Sequence, residues 1–254
     1  MTARILVTGG TGTLGRHVVP GLLAAGRELR VLSRSPRANV SGIDYVQGDL
    51  IKGEGIDAAV AGVDTIVHLA GDAKTDEVAT RNLVDAAARA AVGHLVYIGV
   101  TAAERIPVAY FRAKVGAERA VEESGIPFTT LRAAQFHDLV STMLQKVTKS
   151  PVVPVPGGLR LQPVEAAEVA QRLVELALGE PLGRVPDLAG PQVLEFGELL
   201  REYLRATGKR RLTVPIPFPG KAGRAYRNGD NLTFETEGTR TWADFLADRI
   251  GVAR

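Results

Sequence analysis

The 254-residue sequence predicts an α/β fold, a doubly wound parallel sheet followed by a small C-terminal lobe. Six short apolar runs alternate with helical segments up to residue 131, an order typical of parallel sheets with helices on both faces. Glycines follow the first run at a spacing of three, and the chain beyond residue 135 loses the regular alternation. We therefore expect a core over residues 1–135 and a substrate lobe over residues 136–254. The lobe partly returns to the core sheet, within a single structural domain.

The glycine-rich stretch near the N-terminus is the most specific motif. Residues 5–7 predict a buried strand and residues 14–23 predict a helix, while Gly9, Gly12 and Gly15 connect the two. Strand, glycine turn and helix in this order are the context that a dinucleotide-binding loop requires. Gly9 permits the tight turn, Gly12 lets the backbone approach a pyrophosphate, and Gly15 lets helix and strand pack closely. The alternative is a purely structural turn.

The start of this helix is also suited to anions. Its free N–H groups and the helix dipole both favour a phosphate at this end. The sequence thus predicts a Rossmann-like core whose first loop binds a dinucleotide. The candidate cofactor-binding residues of the loop are Gly9, Thr11, Gly12, Thr13, Leu14 and Gly15.

The end of the second strand indicates which dinucleotide is bound. An Asp or Glu at this place binds the adenosine ribose of NAD in dinucleotide folds. Here residues 28–32 predict the strand, and Ser33 and Arg34 follow it, with Arg37 close behind and no acid. A carboxylate would repel a 2′-phosphate, whereas the guanidinium of Arg34 binds one as a fork. We therefore expect NADP(H); the alternative is that both arginines are solvated loop charges.

Two further strand ends supply cofactor candidates. Asp49 and Leu50 follow the third strand and are suited to frame an adenine ring, although an Asp at this place equally caps the next turn. Ala70 and Gly71 close the fourth strand, where small residues let the backbone approach a ligand. Because ligands of such sheets bind at the carboxyl ends of the strands, these residues are expected at the same edge as the glycine loop.

Tyr110 and Lys114 form the candidate catalytic pair. They lie four residues apart in the helix after the fifth strand, so they share a helix face. A phenol has a pKa of about 10, and a neighbouring ammonium favours the phenolate and lowers that pKa. Tyr110 can then pass a proton to or from a carbonyl or alcohol oxygen while a hydride moves at the adjacent carbon. Lys114 is also a candidate for holding the nicotinamide ribose.

Three motifs together resemble the short-chain dehydrogenase/reductase superfamily: residues 8–15 (TGGTGTLG), residues 68–71 (HLAG) and Tyr110-x-x-x-Lys114. The glycine spacing is similar to that of its extended and atypical branches. Residues 131–137 (LRAAQFH) are similar to the atypical NAD(P)-binding group related to NmrA. The resemblance covers essentially the whole chain. It implies a Rossmann-like core, NADP(H) binding and a C-terminal lobe that closes over the substrate.

The sequence departs from the superfamily where a substrate-holding Ser usually follows the fifth strand. Gly99 stands at the expected place, and Thr101 is the nearest hydroxyl. Loss of such a donor costs about 2.7–4 kcal/mol of transition-state stabilisation, so the sequence does not secure hydride transfer coupled to proton transfer. The candidate substrate residues are Thr101, Gln135, Phe136 and His137. The alternative for His137 is a polar residue that starts a helix.

Composition argues against several other classes of function. The net charge of +3 is small for this length and gives no general case for nucleic acid. The chain has no Cys, which removes thiolate chemistry and is compatible with a reducing cytoplasm, where we expect the protein. No ligand cluster predicts a metal, and no apolar run approaches the roughly 18 residues of a membrane span. Residues 201–227 carry eight Lys or Arg and one acid, which indicates a solvated surface or a site for an anionic partner.

Two functional hypotheses follow from these motifs. The first is an NADP(H)-dependent oxidoreductase that acts on a small organic carbonyl, alcohol or quinone, with Tyr110 as proton donor and Lys114 as its modulator. The second is a non-catalytic regulator that senses NADP(H) and binds a protein partner. The missing Ser favours the regulator and the intact Tyr–Lys pair favours the enzyme. Sugar-nucleotide epimerisation shares the fold but usually needs a larger C-terminal domain, so it ranks last.

Overall fold

The computed structural model describes residues 4–72 and 74–250, and its elements are numbered here in chain order. The strands are β1 (Arg4–Thr8), β2 (Glu28–Ser33), β3 (Ile43–Gln47), β4 (Thr65–His68), β5 (His94–Val100), β6 (Phe128–Ala133), β7 (Val152–Pro156), β8 (Arg160–Leu161), β9 (Gly183–Arg184), β10 (Leu188–Ala189), β11 (Leu194–Glu195), β12 (Leu212–Ile216) and β13 (Thr236–Glu237). The helices are α1 (Gly15–Ala24), α2 (Ile56–Val60), α3 (Asp76–Arg89), α4 (Ala109–Glu123), α5 (His137–Val147), α6 (Ala166–Leu178), α7 (Phe196–Ala206), α8 (Gly220–Asn228) and α9 (Trp242–Ile250).

The chain divides into two compact units, of which the first contains the main sheet. This unit comprises the described residues up to Gly99 together with Ala109–Arg132 and Ala167–Pro186. Its strand order is β6-β5-β4-β1-β2-β3, with β9 beside β6, and its pairings, such as those of β1 with β2 and β4, are parallel. These seven strands and their flanking helices confirm the predicted doubly wound α/β fold.

The central strands of the first unit are buried on both faces. Leu6, Val7, Ile66, Val67 and Leu95 have no exposed surface. Because helices cover both faces of a parallel sheet, its strands are continuous apolar runs, and this is why the runs predicted strands so well. The strand order reverses between β1 and β4, and open α/β sheets bind ligands in the crevice at such a reversal.

The second unit comprises Val100–Val108, Ala133–Ala166 and the described residues from Asp187 onward. In it β10 meets Ala133 at Leu188 and pairs with β13, β8 pairs with β11, and β7 pairs with β12. The single boundary predicted after residue 135 stays a prediction about domain organisation. The apolar core of this unit is built mainly by α5, α7 and α9, with Leu144, Phe196, Leu199, Trp242 and Phe245 among its members.

The second half of the chain holds more regular structure than its sequence pattern predicts. Residues 151–163 contain β7 and β8, and α8 lies further along the same half, where the regular alternation is lost. The prolines of residues 211–219 are tolerated because β12 belongs to a two-stranded sheet and has a free edge. β5 continues through Gly99 and Val100, so Gly99 lies within the strand and does not follow it. Within the two described ranges, no helix is both long and apolar enough to cross a membrane.

Candidate dinucleotide-binding site

A cavity of about 510 Å³ lies in the first unit, at the carboxyl edge of its sheet. Cofactor and small-molecule sites usually have volumes of about 300–1,000 Å³. Thr13, Leu14, Gly15 and Lys114 are not among the lining residues. Of the residues that the sequence assigns to the cofactor, the cavity is lined by Gly9, Thr11, Gly12, Ser33, Arg34, Asp49, Leu50, Ala70 and Gly71.

The loop after β1 requires glycine at two points. Gly9 has a φ of +67°, and a Cβ there would lie 2.6 Å from the backbone nitrogen of Ala70. A Cβ on Gly15 would overlap the backbone of Gly10. Glycine at these points therefore lets the loop turn tightly against the end of β4 and lets α1 begin directly behind it. Gly12 closes the turn, since its N–H donates to the carbonyl of Gly9 at 2.9 Å.

The end of β2 forms a cationic wall of the cavity. Ser33, Arg34, Ser35 and Arg37 line it, and no carboxylate is among the lining residues that β2 and its following loop provide. The hydroxyl of Ser33 donates to the carbonyl of Ser35 at 2.8 Å, which holds the loop. Arg34 is exposed and forms no ion pair with any residue of the described ranges. The wall therefore has guanidinium groups that can bind an anion. It has no carboxylate that could accept hydrogen bonds from two ribose hydroxyls.

Asp49 lines the cavity and also caps its own turn. Its Oδ1 accepts hydrogen bonds from the backbone N–H of Ile51 at 2.8 Å and of Lys52 at 3.2 Å. This is the capping role that the sequence left open beside adenine binding. The neighbouring Leu50 is fixed because its carbonyl accepts from Nδ2 of Asn82 at 2.7 Å.

Lys114 is buried and paired with an acid that the sequence analysis missed. Its Nζ lies 2.8 Å from Oδ2 of Asp76, with the two side chains 9% and 0% exposed. The hydroxyl of Tyr97 donates to the same oxygen at 3.1 Å. A Cβ on Gly71 would lie 2.8 Å from Nζ, so the ammonium packs against the backbone of a cavity-lining residue. The only local signal for Asp76 is an acid in the first turn of a helix, which is common at helix starts.

Tyr110 precedes Lys114 by about one turn of α4. Its half-buried ring makes an edge contact with Phe111, with centroids 5.3 Å apart. Burial first, and then the charge of Asp76, raises the pKa of Tyr97 well above its ordinary value, and Tyr110 adds a smaller effect of the same sign. The phenol and the ammonium thus belong to one helix face, and the Asp76 carboxylate compensates the charge of the ammonium.

His68 connects the ends of β1 and β4 in a neutral hydrogen-bonded cluster. Its fully buried ring places Nδ1 2.6 Å from Oγ1 of Thr8 and Nε2 3.1 Å from Oγ1 of Thr80. Oγ1 of Thr8 also accepts from the backbone N–H of Ala70 at 3.2 Å. Burial lowers the pKa of His68 to about 4, so the imidazole is neutral near pH 7. Its role is to hold the edge of the cavity in place.

Gly99 lacks a side chain because another side chain fills the space. A Cβ at this position would overlap Oε1 of Glu118. That carboxylate forms a buried ion pair with Arg132, whose Nε donates to its two oxygens at 3.0 and 2.9 Å. A Ser at position 99 would therefore point at the ion pair. The absence of a hydroxyl at Gly99 therefore follows from packing.

The second unit holds the four residues that the sequence assigns to the substrate. The backbone N–H of Thr101 donates to the carbonyl of Ala133 at 3.1 Å, and the backbone carbonyl of Gln135 accepts from Val164 at 3.0 Å. Thr101 is 1% exposed. Within the described part of the chain, its hydroxyl and Oε1 of Gln135 are buried without a hydrogen-bond partner. Neither residue lines the described cavity.

His137 is the first residue of α5 and belongs to the core of the second unit. It is fully buried, with its ring centroid 5.7 Å from that of Trp242 and 5.2 Å from that of Phe245. Its Nδ1 lies 3.6 Å from Oε2 of Glu165. The half-exposed Phe136 is the N-cap residue of the same helix. The position of His137 at the start of α5 agrees with the alternative that it is a polar residue that starts a helix.

A parallel sheet whose reversal point, glycine turn and cationic strand end surround one cavity defines a dinucleotide-binding protein of the Rossmann type. The chain belongs to the NAD(P)H-binding family, whose model matches residues 9–179. The match includes the glycine loop, Tyr110 and Lys114. The resemblance to the short-chain dehydrogenase/reductases is thereby confirmed, and the chain is a member of an NAD(P)-binding oxidoreductase family.

Two relatives and one structural neighbour of the chain are named for reductive chemistry. The chain is 31% identical over 212 residues to a (4-alkanoyl-5-oxo-2,5-dihydrofuran-3-yl)methyl phosphate reductase of Streptomyces griseus subsp. griseus, covering 81% of this chain and 74% of the relative. It is 30% identical over 214 residues to an NAD(P)H azoreductase of Xenophilus azovorans, with the same two coverages. A crystal structure of an NADPH-dependent quinone oxidoreductase from Escherichia coli, complexed with NADPH, matches 96% of this chain and 99% of its own with a TM-score of 0.80. At 18% identity, that last likeness shows the fold alone.

The buried pair predicts a large loss of stability in Asp76→Ala. Breaking a buried ion pair from one side leaves an uncompensated charge and costs about 3–5 kcal/mol. Urea unfolding measures this loss, and Asp76→Ala/Lys114→Met is expected to regain part of it. Asp57→Ala is the control, because Asp57 pairs with Arg89 with both side chains well exposed, and such a pair contributes about 0–1 kcal/mol. A loss in Asp76→Ala no larger than in the control contradicts the prediction.

The neutral His68 predicts a pH dependence of stability. Its pKa is lowered by burial from 6.5 to about 4, so between these values the unfolded chain binds a proton that the folded chain does not. The contribution is complete above pH 6.5 and falls as the pH drops toward 4, by about 3 kcal/mol in total. Denaturant unfolding across this window is expected to show a shallower slope in His68→Asn than in the wild type. The half-buried His17 provides the control, since His17→Asn is expected to keep the wild-type slope. Equal slopes in all three proteins count against this assignment.

Proposed function

We propose that this protein is an NADP(H)-dependent oxidoreductase that transfers hydride to or from a small organic carbonyl, alcohol or quinone. The observation that carries the proposal is the wall at the end of β2, where Arg34 lines the cavity and no carboxylate accompanies it. A 2′-phosphate needs a cation at this point, and an acid there would favour NAD(H) instead. The names of the two similar reductases agree with hydride chemistry on small acceptors.

The residues present fit such a cofactor. The space that Gly9 and Gly12 leave open at the start of α1 suits a pyrophosphate. Ser33 and Arg34 are assigned to the adenosine ribose and its phosphate. The remaining cofactor assignments are Asp49 and Leu50 at the adenine, Ala70, Gly71 and Lys114 toward the nicotinamide, and Thr11, Thr13, Leu14 and Gly15 as the loop and helix start that support the phosphates.

Tyr110 and Lys114 divide the chemistry of the reaction between them. NADP(H), when bound, supplies or accepts the hydride. Tyr110 gives the matching proton to the substrate oxygen, or takes it in the reverse direction. Lys114 donates one hydrogen bond to Asp76 and keeps two N–H donors, which suit ribose hydroxyls. Because the Asp76 carboxylate compensates its charge, Lys114 acts chiefly as a fixed donor and less as a source of positive field.

The substrate is assigned to polar atoms of the second unit. Buried polar groups in native proteins nearly always have a partner, and those without one often have a functional reason. The hydroxyl of Thr101 and Oε1 of Gln135 are such atoms. A substrate carbonyl could accept from the Thr101 hydroxyl, and a substrate hydroxyl could donate to Oε1 of Gln135. Phe136 offers a partly exposed apolar surface beside them in sequence. His137 is assigned to holding the start of α5, because its ring is packed on Trp242 and Phe245.

Cofactor preference is tested by Arg34→Glu. The substitution removes a charge-assisted bond to the 2′-phosphate and adds repulsion, so NADPH affinity is expected to fall by about 10–100-fold while NADH affinity stays within about threefold. Fluorescence titration of both cofactors measures this. Arg119→Glu makes the same charge change at an exposed position of α4 and is expected to leave both affinities unchanged. Equal affinities for the two cofactors that Arg34→Glu does not alter would remove the NADP(H) assignment.

Tyr110→Phe tests the proton donor. We expect kcat to drop by about 10²–10⁴-fold on a panel of carbonyls and quinones, with the NADPH dissociation constant unchanged. Tyr226→Phe, which removes a partly buried phenol of the second unit, is the control and is expected to keep the wild-type kcat. Undiminished turnover in Tyr110→Phe would rule out Tyr110 as the acid and indicate direct hydride transfer to a quinone. No turnover on a broad panel, with NADPH still bound, would favour the sensing regulator.

A further inference from the structure

One face of the second unit is apolar toward solvent. The face, called here the β7–β12 face, consists of Val152 and Pro154 on β7 and Leu212, Val214 and Ile216 on β12. The parallel register sets Val152 beside Leu212 and Pro154 beside Val214. Val152, Leu212, Val214 and Ile216 are 42%, 64%, 40% and 39% exposed, and Pro154 is exposed as well.

The outer face of this small sheet departs from the usual arrangement. A sheet with one solvated face ordinarily places apolar residues toward the core and polar residues toward water. Here Thr213 pairs with Val153, which is fully buried in the core of the unit, whereas the residues on either side of Thr213 carry the exposed apolar side chains. Single exposed apolar residues are normal on a protein surface, but a contiguous patch indicates a contact.

Cations stand at both ends of β12. Arg210 and Arg211 directly precede it, and α8 follows soon after it with Lys221 and Arg224. Residues 201–227 contain eight Lys or Arg and a single acid. Arg210, Lys221 and Arg224 are exposed and form no ion pair within residues 4–72 and 74–250.

We propose that the β7–β12 face binds the surface of a lipid bilayer that carries anionic headgroups. Such a surface offers both partners that the face lacks, since apolar side chains enter the boundary between headgroups and acyl chains while Lys and Arg attract the phosphates. This is contact with one leaflet, not a span. It does not depend on the oxidoreductase proposal, because none of these residues belongs to the cofactor or substrate assignments.

The free edge of β12 argues against a partner strand. The N–H of Leu212 donates to Pro151 and the carbonyl of Ile216 accepts from Gly157, each at 3.0 Å, so the even-numbered residues of β12 face β7. The alternation of a strand then turns Thr213 and Pro215 to the free edge. Pro215 has no N–H, which leaves Thr213 as the single donor there and blocks the addition of a strand.

A second copy of the chain is also a poor occupant. A stable interface buries about 800 Å² per partner from about 20–30 residues a side, and the β7–β12 face has five side chains. A two-fold contact would in addition bring the flanking cations of two copies together. A bilayer satisfies the charge without either problem.

Flotation with lipid vesicles tests the proposal. The wild type is expected to float with vesicles of phosphatidylcholine mixed with phosphatidylglycerol and to stay behind with phosphatidylcholine alone. Leu212→Ser/Ile216→Ser is expected to lower the bound fraction about tenfold or more. The control Leu139→Ser/Leu182→Ser, at residues 56% and 60% exposed, is expected to bind as the wild type does.

The charges are tested in the same assay. Arg210→Gln/Arg224→Gln is expected to weaken binding about tenfold, and Arg112→Gln/Arg119→Gln, which removes equal charge from exposed positions of α4, is expected to leave it unchanged. Thermal unfolding checks that each variant folds, and Val214→Ser replaces the Ser pair should that pair not fold.

Four results overturn the proposal. The first is no flotation with anionic vesicles, and the second is binding that Leu212→Ser/Ile216→Ser does not weaken. The third is a loss of binding in the control variants equal to that in the test variants. The fourth is equally tight binding to polyglutamate, which would indicate an acidic protein partner. Light scattering adds a fifth, a dimer that the Ser pair dissociates, which would assign the face to a second copy.

Discussion

The ion pair of Asp76 with Lys114 sets the geometry on which the candidate site depends. A buried ammonium is costly without a carboxylate, so α4 is held where Lys114 reaches α3. Tyr97 on β5 donates to the same carboxylate oxygen, and the backbone of Gly71 closes against the ammonium. One charge therefore aligns two helices, a central strand and the end of β4. Since Tyr110 lies one turn before Lys114, its position relative to the sheet edge follows from the same contact.

The ends of β1 and β4 at the edge of the cavity are held together by neutral groups. His68, Thr8 and Thr80 satisfy one another, and Thr8 also binds the N–H of Ala70. Burial keeps the imidazole of His68 uncharged. The ring therefore does not repel the ammonium of Lys114 and adds no positive charge to the edge of the cavity. The cations that line the cavity, Arg34 and Arg37, lie at the end of β2, where an anionic group of a nucleotide is expected. Asp49 and Asp72 are the acids among its lining residues. Among the lining residues, the cations are therefore confined to the end of β2.

The fold and most of the cavity were predictable because both depend on local sequence. Parallel strands buried on both faces are continuous apolar runs, and their carboxyl ends converge, so residues such as Gly9, Arg34 and Ala70 were expected at one edge and are found there. Asp76 was not predictable, because its role depends on a lysine in the next helix along the chain. The same reason applies to β7 and β12, which pair across about 60 residues. Side-chain partners distant in sequence leave no periodic signal.

The packing of β5 explains why position 99 carries no side-chain hydroxyl. Side chains of a strand alternate, and Tyr97 reaches Asp76 on α3 while position 99 faces Glu118 on α4. Odd-numbered residues of β5 therefore point into the helical layer, and a Ser at 99 would be buried there. The strand ends at Val100. Thr101 directly follows it, so the direction of its hydroxyl is not set by the alternation of the strand. That hydroxyl is buried and has no hydrogen-bond partner within the described residues.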